Sequence, residues 1–503
     1  MTKKGSLLFA ASACLTLMAD VVEQGPKDSA PSGLLAGVAR ADISPPAGIA
    51  HLNWGSQTHV EATGLDPAGM YATALVLSDG KQKFAIVDID YSSVNSALDE
   101  AVRAAAARTG IPAGHIRLNA THTHSGPNFQ ANKGPVGIDP NEYRPTVELY
   151  RRFVAHKIAG AIADANGKLQ PVHAWGAKGM GTINVNRRVR ATATTPAAVG
   201  TNTEGYADRD LIVIRIDDAK GKPYAVLVNY QCHGTTLTHE NKLISPDWIG
   251  MVRRTVETAM PGVLCLYLQG AAGNMGPMEG NTGDVSVAHR LGSVLGHQAA
   301  ALALQVETVR REPVLEGFTE STAFAARQPW RVKGPRPAAL AFALQTIEVP
   351  RRGSTAGEIR TLSTQVEEAR ARLAAVDTKD PIARHQADAR LRRFNDLLTR
   401  AKLPVNPSPI PVDLQVLRIG DMAIVAMPGE PFAEIGAAIK AKSPFPITMF
   451  CGYSSGKGGG YMPIRSEYAF GGYEVDRTPY GEGAAEKMID GGLSLLHRMQ
   501  ARN

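Results

Sequence analysis

Apolar and polar positions along the chain follow two periods, which predict strands that alternate with helices. Short apolar runs predict strands at residues 72–77, 84–89, 116–120, 211–216, 225–230, 263–268, 414–419, 423–426 and 447–450. Apolar residues spaced three and four positions apart predict helices at residues 96–109, 145–165, 247–259, 285–306, 433–442 and 483–498. The alternation predicts a mixed α/β or α+β fold, with a layered sheet core and flanking helices.

A further helical pattern, at residues 355–402, stands apart from this alternation. Its first apolar stripe consists of Ile359, Leu362, Val366, Ala369 and Leu373. After a break at an Asp-Pro pair, the second stripe consists of Ala387, Leu391, Phe394 and Leu398. The stripes predict an inserted antiparallel helical hairpin that packs on the main body. Each stripe covers only about two heptads, so a seam between subunits is the weaker alternative, and the sequence leaves the oligomeric state unknown.

The start of the chain resembles an export signal. Two lysines precede an apolar run at residues 7–18, which is shorter than the roughly 20 residues of a membrane-spanning helix. This order is typical of a signal peptide. We therefore expect residues 1–35 to be a signal peptide and linker, and residues 36–503 to be one catalytic domain of a secreted or periplasmic protein. Cys14 leaves a lipid-anchored form open, and a cytosolic tail is the remaining alternative.

Charge and cysteine content exclude several classes of protein. The formal net charge is +7, and much of the excess lies in the hairpin, at Arg370, Arg372, Arg384, Arg390, Arg392, Arg393 and Arg400. A solvated helical face explains this better than a patch that binds an anionic membrane or nucleic acid, and no nucleic-acid-binding motif accompanies it. No later segment is a transmembrane candidate. Only four cysteines occur, which argues against a disulfide scaffold.

Candidate metal ligands follow three of the predicted strands. His122 and His124 come just after residues 116–120, and residues two apart on an extended strand face the same side. His233 follows the strand at 225–230 in the same way. Imidazoles that converge at strand ends are typical of a zinc site, although a structural histidine pair or a capping histidine remains an alternative for each.

A glutamate and a glycine-rich segment follow the later strands. Glu430 comes after a Pro-Gly turn, where it could complete a His/His/Glu metal site or stabilise the start of the next helix. The segment 451–474 contains several glycines and the tyrosines Tyr461, Tyr468 and Tyr473. It lacks the strand–loop–helix order of a phosphate-binding loop. We therefore expect it to form a wall or lid of the active site rather than a nucleotide site.

Seven short motifs, in this order, resemble the neutral/alkaline non-lysosomal ceramidase superfamily, specifically its shorter bacterial branch. They lie at residues 37–46, 121–127, 186–187, 232–237, 269–277, 427–432 and 460–474. The resemblance implies a Zn²⁺ ion bound by His122, His233, Glu430 and Tyr461. It further implies that His124 lies near the metal, that Arg187 faces the substrate and that Tyr473 belongs to the active site. From their chemistry we expect His124 to act as general acid or base, and Arg187 and Tyr473 to stabilise the oxyanion or anchor the substrate.

The activity that this resemblance implies is hydrolysis of an amide bond by metal-activated water, in a ceramide-like N-acyl lipid or small-molecule substrate. One departure puts the bond in doubt. At the position of the family's active-site serine the chain has Gly276, and Asn274 stands where the family has an acidic residue. An esterase, lactonase or carbohydrate-active zinc hydrolase therefore remains an alternative, as does a non-catalytic, metal-containing binding protein. We also expect no counterpart of the C-terminal β-domain of longer ceramidases, which makes a membrane-lipid substrate a weaker expectation.

Overall fold

The computed structural model describes residues 33–501 apart from 47, 52, 55, 56, 58, 95, 128–138, 191, 193–195, 378 and 405–407. The predicted signal peptide, its alternative lipid-attachment site Cys14 and almost all of the linker lie outside the described residues. Within the described part of the chain, no helix has the length and apolar character needed to cross a membrane.

The strands of the described residues, in chain order, are β1 Leu35–Asp42, β2 Gly64–Leu65, β3 Tyr71–Ser78, β4 Lys83–Ile89, β5 Ile116–Ala120, β6 Gln170–Met180, β7 Asn184–Val189, β8 Ala198–Asn202, β9 Asp210–Asp218, β10 Pro223–Tyr230, β11 Leu243–Ile244, β12 Leu264–Gln269, β13 Met275–Pro277, β14 Val309–Pro313, β15 Gly317–Glu320, β16 Phe324–Arg327, β17 Trp330–Pro335, β18 Leu340–Val349, β19 Ile410–Ile419, β20 Met422–Ala426, β21 Glu430–Pro431, β22 Ile447–Cys451 and β23 Tyr461–Met462.

The α-helices are α1 Asp99–Thr109, α2 Arg144–Gly167, α3 Trp248–Ala259, α4 Val285–Gln305, α5 Ala356–Ala375, α6 Pro381–Ala401, α7 Ala433–Lys442, α8 Tyr473–Arg477 and α9 Ala484–Gln500. Every strand and helix predicted from the apolar pattern is present, within a few residues of its predicted ends. The predicted runs did not include β1, β6 or β18. In β6, glycine, lysine and histidine interrupt the apolar alternation.

Two mixed sheets form the centre of the fold. The larger has eight strands in the order β12-β10-β9-β6-β1-β3-β4-β5, and the smaller has the order β18-β19-β20-β22. Most neighbours are antiparallel, but β4 with β5, β10 with β12 and β20 with β22 run parallel. These three parallel pairs matter for function because their carboxyl ends carry the candidate ligands.

The sheets pack face to face, and helices cover both outer faces. The apolar cluster between the sheets includes Leu75, Ile86 and Leu227 from the larger sheet and Ile424 and Met449 from the smaller. Helices α1 and α2 cover one half of the larger sheet's outer face, and α3 and α4 cover the other half. Helices α7 and α9 cover the smaller sheet. This layered mixture of sheets and helices confirms the fold class predicted from the sequence.

The inserted helical hairpin is present as α5 and α6. Thr355 and Glu358 form a capping box that starts α5, and the Asp380 side chain caps α6, which satisfies backbone N–H groups at both helix starts. The apolar stripes meet in a small core that comprises Val366, Ala369, Phe394 and Leu397, with Leu362, Leu391 and Leu398 beside it. An ion pair between Arg393 and Asp476, at 3.2 Å, links the hairpin to α8.

Candidate metal centre

The candidate ligands gather where the three parallel strand pairs end. His122 follows β5, His233 follows β10 and Glu430 follows β20. Carboxyl ends of neighbouring parallel strands open at one edge of a sheet, which is where α/β proteins commonly bind ligands. Because β20 belongs to the smaller sheet and the histidines follow the larger one, the centre lies at the junction of the two sheets.

The loop after β5 presents His122 in an unusual backbone conformation. Its φ is 67°, in the left-handed region, and its backbone N–H donates to the Tyr91 carbonyl at 2.9 Å. The ring Nδ1 lies within hydrogen-bonding distance of the Ser92 carbonyl. We predicted that His122 and His124 point the same way because both lie on one extended strand. That reason was wrong: β5 ends at Ala120, and the backbone of His122 is left-handed rather than extended.

The loop after β10 presents His233 to the same space. Its Nδ1 contacts two backbone carbonyls, that of Ala272 at 2.6 Å and that of Met275 at 3.1 Å. The next residue, Gly234, forms a bridge with Thr123. A Cβ at Gly234 would lie only 2.8 Å from the His122 carbonyl oxygen, so the close approach of the two histidine loops requires glycine here.

Four side-chain donor atoms converge between these loops. The Nε2 atoms of His122 and His124 are 3.0 Å apart. Glu430 Oε2 lies 3.4 Å from His122 Nε2 and 3.2 Å from His233 Nε2. The ligand atoms of the three histidines all lie within 4.8 Å of one another. The three imidazoles therefore form a group that could hold a metal ion, with a carboxylate beside it.

Backbone contacts leave the Nε2 atoms of His122 and His233 free for a ligand role. A carbonyl oxygen accepts a hydrogen bond, so the Nδ1 atom facing it carries the proton, and Nε2 then carries the lone pair. A carbonyl behind the distal nitrogen is the usual way in which proteins orient metal-binding imidazoles. The two best-fixed rings of the cluster thus have the tautomer that a metal ion requires.

The ionisation states of the cluster also suit a cation. Burial, with Arg187 and His122 nearby, lowers the pKa of His233 to about 3. Burial and the neighbouring His122 and His233 hold the pKa of His124 well below its ordinary value. Burial opposes ionisation of Glu430, but His122 and His233 hold its pKa well below the usual range. Neutral imidazoles beside an ionised carboxylate are the forms in which these residues bind metal ions.

Strand pairing brings Tyr461 next to Glu430. The two residues are direct partners in the short parallel ladder of β21 and β23, and Gly429, with φ of 79°, makes the turn that precedes it. The Tyr461 ring is buried and packs edge-on against Tyr473, with ring centroids 5.6 Å apart. Tyr461 therefore flanks the donor cluster, and its role as a fourth ligand stays a prediction.

Arg187 is held beside this cluster by a buried glutamate. Its Nε donates to Glu474 at 2.8 Å, and Arg188 Nη1 donates to the other oxygen of the same carboxylate at 2.6 Å. The guanidinium carbon lies 5.5 Å from the centre of the Tyr461 ring. Arg187 Nη2 is buried and has no hydrogen-bond partner among the described residues. A fixed donor without a partner is suited to an incoming polar group.

The backbone at Gly276 passes next to Arg187. β13 pairs with β7, with Gly276 opposite Val185, and a Cβ placed on Gly276 would find its nearest neighbour, the Arg187 Cβ, at 3.5 Å. That is an ordinary van der Waals distance. The position therefore has space for a side chain, and the missing serine hydroxyl leaves a gap beside the arginine.

A buried ion triad, formed by Arg253, Asp88 and Asp90, contacts the segment that precedes His122. Arg253 Nη1 donates to Asp88 Oδ2 at 3.0 Å, and Nη2 contacts Asp90 Oδ2. Asp90 also accepts hydrogen bonds from the Tyr71 backbone at 2.8 Å and the Thr121 hydroxyl at 3.2 Å. Thr121 precedes His122, so the triad connects α3 and the end of β4 to the loop that positions this imidazole.

Three residues at the centre were not identified from the sequence. The ring of Tyr453 is buried, and its centroid lies 4.3 Å from that of the His122 ring. The ring centroids of Trp54 and His124 are 5.0 Å apart. The third is Glu474, which orients Arg187. Tyr453 follows β22 as the histidines follow their strands, so strand-end position was a usable signal for it. The Trp54 loop has no comparable pattern.

The chain is similar to the members of one enzyme family. The family model described as neutral/alkaline non-lysosomal ceramidase, N-terminal, matches residues 34–292. Neutral ceramidase B of Dictyostelium discoideum is 28% identical over 181 residues, which are 34% of this chain and 23% of that protein. Neutral ceramidase of Pseudomonas aeruginosa is 24% identical over 415 residues, 76% of this chain and 60% of that protein. The chain thus spans less than two thirds of the length of these curated relatives.

Solved structures support the same grouping at the level of the fold. The crystal structure of neutral ceramidase from Pseudomonas aeruginosa matches 94% of this chain and 75% of that chain, with a TM-score of 0.60 and 19% identity. A ceramidase complexed with C2 matches with a TM-score of 0.59, at 19% identity over 94% of this chain and 76% of that one. Because the matched family region covers half of the chain and includes all three clustered histidines, the chain belongs to the neutral/alkaline non-lysosomal ceramidase family.

Proposed function

We propose that the protein is a zinc-dependent hydrolase that cleaves the amide bond of a ceramide-like N-acyl substrate. The observation that carries the proposal is the convergence of three imidazole Nε2 atoms and one carboxylate oxygen, with neighbouring donor atoms 3.0–3.4 Å apart. Nitrogen ligands completed by one carboxylate are typical of catalytic zinc sites. Membership of the ceramidase family supports an amide substrate.

His122, His233 and Glu430 would hold the ion, with Tyr461 as the fourth protein ligand. His124 lies in the same donor cluster, and its role as general acid or base stays a prediction. When bound, Zn²⁺ supplies Lewis acidity, which lowers the pKa of a water from 15.7 to about 7 and polarises a carbonyl group.

The other side chains orient the substrate. Arg187 offers its unpartnered Nη2 to a substrate oxygen that gains negative charge during the reaction. Glu474 keeps that guanidinium in place through its hydrogen bond to Nε. Tyr473 forms the wall beside Tyr461. Trp54 and Tyr453, on the histidine side, exclude water from the imidazoles.

Metal analysis and hydrolysis assays on one variant test the proposal together. His233→Ala should lose both the bound zinc and the hydrolysis of N-acyl substrates, because it removes a ligand whose ring is fixed by two carbonyls. His156→Ala is the matched control, since it removes an exposed imidazole on α2. Retention of full activity by zinc-free His233→Ala would refute the metal mechanism.

Ester hydrolysis is the second candidate, and the absent side chain at Gly276 favours it. Esters have better leaving groups than amides, so a centre that lacks the family's serine hydroxyl would cleave them more readily. A matched panel of N-acyl and O-acyl substrates with the same chains separates the two activities. Zinc binding without hydrolysis of either panel would instead identify a non-catalytic binding protein.

We also propose that the protein acts outside the cytoplasm, on a lipid or small-molecule substrate. The basic, then apolar, start of the sequence supports export. Fractionation of cells that express the full chain tests this. Recovery of the protein only in the cytoplasm, with its first 35 residues intact, would contradict it.

A further inference from the structure

A cavity of about 750 Å³ lies between the helical hairpin and the segment that carries α8. Its walls come from α5 and α6, from residues 351–354, and from residues 471–472 and 476–479. The volume falls within the 300–1,000 Å³ that is typical of small-molecule sites. None of the residues assigned above to metal binding or substrate orientation lines it.

One wall of the cavity is apolar. Leu362, Phe394 and Leu397 face it from the hairpin, and Leu403 and Pro404 extend this surface beyond the end of α6. Leu403 is 62% exposed. An apolar lining of this kind inside a concave site is suited to an alkyl chain.

The lining of the cavity is also strongly basic. Five arginines line it, at positions 351, 352, 393, 400 and 477, against only two carboxylates, Glu358 and Asp476. Arg352 pairs with Glu358 at 3.1 Å and Arg393 with Asp476 at 3.2 Å. Both carboxylates are therefore already neutralised. Arg400 pairs with Asp396, outside the lining, at 3.2 Å, so the excess positive charge that attracts an anion lies on Arg351 and Arg477.

Two of these arginines have no carboxylate partner within the described part of the chain. Arg351 Nε donates only to the Ser408 carbonyl, at 3.0 Å. Arg477 has its guanidinium 5.1 Å from the centre of the Tyr473 ring, and its buried Nε has no hydrogen-bond partner. Guanidinium groups bind carboxylates and phosphates in a bidentate manner. These two therefore form the head-group end of a site.

We propose that this cavity binds an amphiphilic anion, a single acidic head group on an alkyl chain, with the head group on Arg351 and Arg477 and the chain on Leu362, Phe394 and Leu397. A long-chain carboxylate and an alkyl phosphate share this chemistry. The proposal goes beyond the proposed function, because it concerns a separate cavity and binding can be measured without turnover. Arg477 stacks on Tyr473, which lies beside Tyr461. An anion bound to Arg477 would therefore lie near the proposed hydrolytic centre.

Isothermal titration calorimetry on the full chain tests the proposal with three probes of equal length: dodecanoate, dodecyl phosphate and dodecylamine, each below its micelle concentration. One of the two anions, or both, should bind saturably at one site per chain, and the amine should not. Tighter binding of dodecanoate assigns the head group as a carboxylate, and tighter binding of dodecyl phosphate assigns it as a phosphate.

Variants locate the bound anion. Arg477→Gln should weaken anion binding by about tenfold, the scale of one charge-assisted hydrogen bond. Gln365→Trp, which places a large side chain in the lining, should weaken it without any change of charge. Arg310→Gln, a matched loss of one exposed arginine on β14, should bind as the parent does. Absence of saturable anion binding, equal binding of the amine, or equal affinity in all three variants would overturn the proposal.

Discussion

Replacing Arg253 by methionine should destabilise the protein by about 3–5 kcal/mol, the cost of leaving buried charges without their partner. Arg253 is 2% exposed, and both carboxylates that it contacts, Asp88 and Asp90, are fully buried. Methionine retains most of the volume of the aliphatic stem, so the lost charge, rather than a cavity, accounts for the effect. Unfolding entropy of about 2.1 cal/mol/K per residue implies that Tm falls by roughly 3–5 °C for a chain of this length.

The pH dependence of that loss follows from the carboxylates. Burial, with Asp90 adding to it and Arg253 opposing it, already raises the pKa of Asp88 to about 6. Without the arginine this folded-state pKa rises further. A raised carboxyl pKa means that the folded protein binds the proton more tightly than the unfolded chain, so stability falls as pH rises from about 4 through the folded pKa. The penalty should therefore be larger at pH 8 than at pH 5.

Differential scanning calorimetry at pH 5, 6, 7 and 8 measures the effect. The control is Arg254→Met, which removes the adjacent, exposed arginine of the same helix and should change Tm by less than about 1 °C, as surface substitutions usually do. Equal Tm values for the Arg253 and Arg254 variants, or a penalty that grows towards pH 5, would refute the reasoning about the buried triad.

Three other substitutions test the geometry of the centre. Gly276→Ser should leave Tm within about 1 °C of the parent, because its Cβ meets only Arg187 at 3.5 Å; a large loss of Tm in calorimetry would contradict the space assigned there. Glu474→Gln should cost about 1.5–3 kcal/mol of stability and raise KM, while metal content stays unchanged; loss of zinc in elemental analysis would instead place the glutamate in the metal site. Gly234→Ala should cost about 1–3 kcal/mol and weaken zinc binding in competition titrations with a chelator, since its Cβ would lie 2.8 Å from the His122 carbonyl. Gly160→Ala, with nothing within 4 Å, is the control for Gly234, and equal behaviour of the two would contradict the argument.

The spacing of apolar residues predicted most of the long helices and strands because each of them buries a regular face. The strands β3, β4 and β10 are nearly continuous apolar runs, as expected for strands covered on both faces. His122, His233 and Glu430 were identifiable because polar residues directly after such strands lie together at sheet edges. The hairpin was identifiable because the apolar residues of each helix recur at helical spacing and form one stripe. The two stripes are buried when the helices pack against each other.

The remainder depended on contacts between distant segments. His122 has a positive φ, which no local sequence motif predicted. Glu474 lies 287 residues from the Arg187 that it holds, and Trp54 reaches His124 from a loop without periodicity. The basic cavity combines four separated stretches of chain, so the balance of charges around it could not be predicted from any one stretch of sequence.

The two sheets contribute unlike halves of the donor cluster. All three imidazoles belong to the region matched by the family model, residues 34–292, whereas the anionic oxygen arrives with the smaller sheet. A polypeptide that stopped near residue 305 would retain the three clustered histidines but lose Glu430, the carboxylate that lies beside them. Any shortened form intended to keep the four donor atoms together must therefore extend through both sheets, at least as far as Glu430.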